Sequence, residues 1–361
     1  MAVLAGHQSI VGIKKGSTWG TGVQCDKRLR LSQLTNTLSF AEQVSGNHDM
    51  SYLPKSVKRG ANTTGGTIQV EAGFGGEWLI LAALFGGNAN ASPAEVNGGQ
   101  GDYLHTMDFA GYTSANQYFF SLAHLIESDV VGEFTSAMAE NFNFAGTINA
   151  GLQVSTGFVA ERYKNATTAT SAANLAALSF TQDPEEKVVF NGANMYARIA
   201  PYSSSTALDS DDNVNFTQFS INFSRTLTRV YGASGADTQF SKLPFIASII
   251  NAQFSMTLAN IDDSVTDLFA KYEAGTPLMA EIFVDGGVIG AGANTSLKFA
   301  IPYIVPLTVG GYGIGGQAPL ANPVITGRLS TVGTAASGMT GSANSLMRLS
   351  SVDKRTTSYT A

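Results

Sequence analysis

Residues 66–87 read GTIQVEAGFGGEWLILAALFGG. From Thr67 to Ala72 polar and apolar residues alternate, which puts Ile68 and Val70 on one face and Gln69 and Glu71 on the other, as in a half-buried antiparallel strand. From Glu77 to Phe85 the chain is apolar and then meets Gly86-Gly87, a good helix stop because glycine takes the left-handed conformation cheaply. A strand that feeds a short helix through glycines is the unit against which the rest of the chain can be compared.

The alternation recurs in Phe219-Ser220-Ile221-Asn222-Phe223-Ser224 and predicts further strands at Phe142 to Ser155, Lys187 to Phe190, Gln253 to Leu258, Met279 to Val284 and Leu297 to Val305. One other stretch reads as a helix, from Asp262 or Asp263 to Ala274. Val265, Leu268, Phe269 and Tyr272 recur there at i, i+3, i+4 and i+7, acidic residues open it and Gly275 ends it. With 39 glycines and only 13% charged residues in 361, the composition suits many strands and tight turns. The expected class is mainly β: packed antiparallel sheets, a sandwich or barrel, with one short helix per unit.

The two helices invite a search for a repeat. In the first half the strand Leu38 to Val44 leads through the loop Ser45 to Gly66 into the strand Thr67 to Phe74 and the helix from Glu77. In the second, Phe216 to Thr226 leads through Val230 to Ala247 into Ser248 to Leu258 and the helix from Asp262. Both loops carry lysine and proline, in Tyr52-Leu53-Pro54-Lys55 and Lys242-Leu243-Pro244-Phe245. The order predicts a duplication: a first β unit with an N-terminal arm over 1–165, a linker with connecting strands over 166–213, and a second β unit over 214–327. The Ser/Thr/Gly-rich remainder, 328–361, reads as a C-terminal arm that is loose or ordered only against a neighbour.

Reaction chemistry finds little support. The glycine, lysine and hydroxyl cluster GIKKGSTWGTGV, Gly12 to Val23, fails the phosphate-loop pattern because its lysines precede the second glycine and no helix follows. Gly310 to Gln317 is glycine-rich without Lys-Ser/Thr, and Gly232-Ala233-Ser234-Gly235 lacks the spacing of a nucleophile turn. His7, His48, His105 and His124 form no metal-binding pair, and the single cysteine, Cys25, permits neither a disulfide within the chain nor a cysteine cluster. The acid pairs Glu185-Glu186 and Asp262-Asp263 read as a solvated turn and a helix start. No enzyme, cofactor or metal is expected. A net charge of −6 with no basic run longer than Lys14-Lys15 excludes a tight grip on nucleic acid. The absence of an 18-residue apolar run and of a signal segment predicts a protein made in the cytoplasm with no membrane helix. So low a charge content implies surface buried against other chains.

The opening Ile10-Val11-Gly12-Ile13-Lys14-Lys15-Gly16-Ser17-Thr18-Trp19-Gly20-Thr21 looks like the "GI-K-x-(S/T)-(aromatic)-GT" start of the phage major tail (tail tube) proteins of long, non-contractile tails. The passage Gly66 to Gly87 is similar to that family as well, as is Phe254-Ser255-Met256-Thr257-Leu258 before Asp262-Asp263-Ser264. The resemblance implies a structural virion protein whose rings stack into a β-lined tube that conducts genomic DNA to the host without specific binding. Its partners would be further copies of itself and other tail proteins at the tube ends. In that family the long loop between two early strands bridges to the next ring, which falls here on Ser45 to Gly66 and Val230 to Ala247. Candidate contacts between rings or subunits are Trp19, Tyr52, Lys55, Lys58, Tyr231, Lys242 and Phe245. Candidate channel-facing acids are Glu42, Glu71, Glu133 and Glu140, suited to repel phosphate. If the duplication holds, a trimer with pseudo-sixfold symmetry competes with a true hexamer. Rival readings are a capsid decoration or baseplate protein and an outer-membrane barrel; the latter would need a signal peptide and a terminal aromatic strand.

Overall fold

The computed structural model describes residues 9–44, 57–90, 92–110, 118–126, 130–165, 168–180, 186–191, 195–231, 240–259, 263–290, 293–310, 322–334, 336–339 and 345–359. Strands account for 59% of it and helices for 8%. The first half contributes β1 (Ile10–Lys15), β2 (Lys27–Leu29), β3 (Gln33–Val44), β4 (Val57–Glu71), α1 (Trp78–Phe85), β5 (Gly87–Ala89), β6 (Ala94–Glu95), β7 (Tyr103–Ala110), β8 (Phe120–Ile126), β9 (Val130–Thr147), β10 (Gln153–Ala160) and β11 (Tyr163–Lys164). Then follow α2 (Ala172–Ala176), β12 (Met195–Pro201), β13 (Phe216–Ser224), β14 (Leu227–Tyr231), β15 (Ser241–Ile246), β16 (Asn251–Leu258), α3 (Asp263–Glu273), β17 (Leu278–Gly290), β18 (Ala293–Gly310), β19 (Val324–Leu329) and β20 (Ser345–Asp353).

Eight strands form one long sheet in the order β3-β4-β10-β9-β13-β16-β19-β18, every neighbour antiparallel. A second layer runs β12-β17-β18-β20-β7, with β5 and β6 on the outer edge of β7. Two 18-residue strands tie the parts together. β18 pairs with β20 through Ser296 to Ala300 and with β19 through Ile304 to Gly310. β9 pairs with β8 up to Ala137 and with β13 from Asn141 on. Between these stretches Glu140 is the extra residue of a β-bulge against β10, a device that bends a strand and lets it change partners.

The core lies between the layers and is rich in phenylalanine. Phe142 and Phe144 of β9 and Phe219 and Phe223 of β13 point inward by the period-two rule and meet Phe109 of β7 and Phe299 of β18. Phe109 stacks on Phe223 with ring centres 4.7 Å apart, and Phe144 meets Phe299 edge-on at 5.1 Å. Helix α1 is buried on every side, the only stable place for a helix apolar all round. The Trp78 indole N–H donates to the Gly73 carbonyl at 2.7 Å, and Gly86, at φ 137°, ends the helix as the sequence predicts. Helix α3 also falls where expected, with Gly275 at φ 65° behind it.

One pairing scheme occurs twice. β1–β8, β8–β9, β9–β10, β10–β4 and β4–β3 in the first half correspond in order to β12–β17, β17–β18, β18–β19, β19–β16 and β16–β13 in the second. Helix α1 follows β4 as α3 follows β16.

Two segments are more firmly built in than their composition suggests. Within 328–361, expected as an arm, β20 is an interior strand between β18 and β7, and the last described residue, Tyr359, is buried. Its hydroxyl donates to Asp353 Oδ2 at 2.7 Å, and Arg355 Nη1 donates to Glu77 Oε2 at 2.9 Å beside the start of α1. His105 Nε2 lies 2.8 Å from the Arg355 carbonyl. In the expected linker, Ser171 caps α2 by accepting from the Asn174 N–H, and Leu175 is buried with Cys25, Ala123 and Leu125.

Candidate functional site: the polar face of the long sheet

Alternation gives the eight-strand sheet two unlike faces. The inner carries the phenylalanines; the outer carries amides and hydroxyls. Residues paired across antiparallel strands share a face, so the outer one can be followed from edge to edge. One row runs Gln33, Gln69, Ser155, Asn143, Asn222, Gln253, Arg328 and Val305, each paired with the next. A second runs Thr35, Thr67, Gly157, Asn141, Ser224 and Asn251. A third runs Glu71, Gln153, Ala145, Ser220, Ser255, Thr326 and Thr308.

The middle of this face is a shallow open depression of about 670 Å³ over Asn141, Asn143, Ser220, Asn222 and Gln253. Asn141 follows the bulged Glu140, and its carboxamide lies across the neighbouring strand, accepting from the Gly157 N–H at 2.7 Å. A side chain at Gly157 would collide with that carboxamide, so glycine here marks a close approach. Among the described side chains of these rows, charge stands only at the two sides: Glu71 pairs with Lys187 at 2.6 Å, and Arg328 stands near the opposite edge.

Both edges are open among the described residues. β3 pairs with β4 alone, and β18 beyond Ile304 pairs with β19 alone. Pro306 and the bulged Leu307 blunt the second edge, a common guard against indiscriminate strand addition.

The residues singled out from the sequence fall in several places. Glu71 is on the polar face. Glu133 is enclosed in the protein, where its Oε2 accepts from the Ala169 N–H at 2.6 Å; burial raises its carboxyl above the ordinary range and leaves it no surface to offer a channel. Glu140 is half-buried at the bulge, its carbonyl accepting from the Arg225 N–H. Glu42 and Lys58 lie in β3 and β4, with side chains outside the described residues, as are Tyr52 and Lys55 altogether.

Trp19 makes its contacts within the chain. Its indole N–H donates to the Ser241 carbonyl at 2.9 Å, its ring meets Phe119 edge-on, and it packs on Met138, Val159 and Leu227. Tyr231 donates to the Asn62 carbonyl and Arg229 to that of Thr64, which lays the β14–β15 hairpin over β4. Lys242 and Phe245 are exposed on β15, Phe245 by 52%. Cys25 is buried, with its thiol pushed up to about 12, so it stays protonated and unreactive.

The asparagines and glutamines of the polar face were not singled out from the sequence. Their signal was present as the polar half of each alternating strand, uncharged in nearly every case.

A two-layer antiparallel protein with a broad polar sheet face, open at both edges, has the build of a structural subunit made to be joined to others. The chain belongs to the phage tail tube protein family, whose family model matches residues 6–337, nearly its whole length. Among curated proteins, none matches the chain. It is thus a structural component of the virion tail. No helix among the described residues is long and apolar enough to cross a membrane.

Proposed function

We propose that the chain, made in the host cytoplasm, closes into rings of three that stack into the tail tube, with the polar sheet face lining the channel for genomic DNA. The observation that carries this reading is the parity of the long sheet. With eight strands, all antiparallel, β3 of one copy runs antiparallel to β18 of the next, so identical copies close head to tail without a parallel seam. An odd number would not.

Three copies supply twenty-four strands. At a strand spacing of about 4.8 Å and a tilt of about 40°, the backbone circle is about 48 Å across, which leaves a duplex room to pass inside the side chains. The repeated pairing scheme supports a duplication, with β1, β3, β4, α1 and β8–β10 as one unit and β12, β13, β16, α3 and β17–β19 as the other. The rotation from one unit to the next within a chain would then be repeated between chains. A hexamer lined by one half alone is disfavoured, because the same polar face continues from β9 onto β13. The role is structural rather than catalytic, with other tail proteins at the tube ends.

Electron microscopy of the purified protein tests this. Hollow tubes with an axial repeat are expected; a monomer that never assembles would refute the proposal.

A further inference from the structure

We infer that the stretch of wall formed by β10, β9, β13 and β16 is electrically neutral and hydrogen-bonding, so that DNA passing over it is neither held nor repelled by charge there. The inference rests on the polar face lining the channel. The chain has 21 lysines and arginines and 27 acids, so charge is available to it. Along the described rows of the eight strands, however, the face shows only the Glu71–Lys187 ion pair, on β4, and the exposed Arg328, on β19, one on each side of this four-strand stretch.

Between them stand Asn143, Asn222, Gln253 and Ser220, whose amides and hydroxyls both donate and accept hydrogen bonds and so hold a layer of water. A lysine there would bind phosphate and release counterions, making transit dependent on salt. A carboxylate would set up a like-charge barrier, strengthened where protein walls crowd out water. The neutral stretch avoids both over these four strands. It departs from the repulsive, acid-lined channel that the net charge of −6 suggests.

Virions carrying Asn222→Lys, Asn222→Asp or Asn222→Ser in this protein, compared with unmodified virions for DNA ejection rate, provide the test. The ratio of each variant to the unmodified virion at the same salt cancels changes in the packaged DNA. A neutral wall is disturbed by either sign: N222K and N222D should both slow ejection at low salt and recover as salt rises, while N222S stays near the unmodified rate. For N222K the ratio should change by about threefold per phosphate contact between roughly 50 and 200 mM salt.

If N222D is as fast as the unmodified virion, or N222K has no effect, the wall is not neutral in operation and the inference falls. Electron cryomicroscopy of the same tails places Asn222. If that residue is not on the channel, the lining itself is refuted and this inference goes with it. If it is on the channel and the rates do not respond as stated, only the neutrality is refuted.

Discussion

Glu133 is buried on β9 because the Ala169 and Thr170 N–H groups converge on its Oε2. Its carboxyl lies above the ordinary 4.5, mainly through burial. The folded protein therefore keeps this proton at pH values where the unfolded chain has released it. The associated stability is present below the ordinary value and is lost as pH rises through the raised one. Buried His124 has the opposite sign: its imidazole is held below 6.5 by burial, so the associated stability is present above 6.5 and is lost as pH falls through the lowered value. Glu133→Gln should flatten the decline on the rising side and leave the histidine limb in place, as read by urea unfolding across about pH 4 to 8. An unchanged profile would remove Glu133 from the account.

Trp19 gives a second residue-scale expectation. As an anchor for β15 within the chain, Trp19→Ala should cost the unassembled protein about 2–4 kcal/mol. If unfolding is unaffected and only assembly fails, the anchor acts between chains, as the sequence alone had suggested. The sequence could not show which partner the indole would choose, because Ser241 lies 222 positions away.

At the scale of elements, legibility followed local pattern. Helix α1 was readable as an unbroken apolar run and α3 by its apolar periodicity, each with a glycine stop behind it. β20 was not: Leu346, Met347 and Leu349 are embedded among serines and arginine, and their burial comes from β18 and β7, distant strands that no local window contains. Likewise, alternation identified strands with two unlike faces, but only the cross-strand register turned scattered asparagines into continuous rows. The open β3 edge can be tested with a pair of substitutions. Neighbouring N–H groups on a strand point to opposite sides, so of Asn36→Pro and Thr37→Pro one should disrupt pairing with β4. The other should leave a folded monomer that forms no tubes, as followed by circular dichroism and microscopy. Tubes from both variants would rule out β3 as the joining edge.

For the whole molecule, the proposed trimer makes a simple demand: native mass of an isolated ring should equal three chains. Six chains would refute the closure by eight-strand units. The steps from β4 into α1 and from β16 into α3 could be read in the sequence, but the loops expected before them, Ser45 to Gly66 and Val230 to Ala247, contain the first part of β4 and most of the β14–β15 hairpin. Nor could the way β9 joins the two halves into one sheet be read, since it depends on a bulge at Glu140 and on pairing with a strand some eighty positions further on.

The placement of β20 also bears on timing. Chains are synthesised from the N-terminus, so β7, α1 and β18 exist before the strand that fits between β7 and β18. Until Ser345 to Tyr359 arrive, β7 lacks its neighbour, and Glu77 and His105 lack the Arg355 contacts that the finished protein gives them. The second layer supporting the long sheet is then incomplete. A chain that lacks this segment would therefore be unable to present a finished subunit to a growing tube, whatever the state of its other strands.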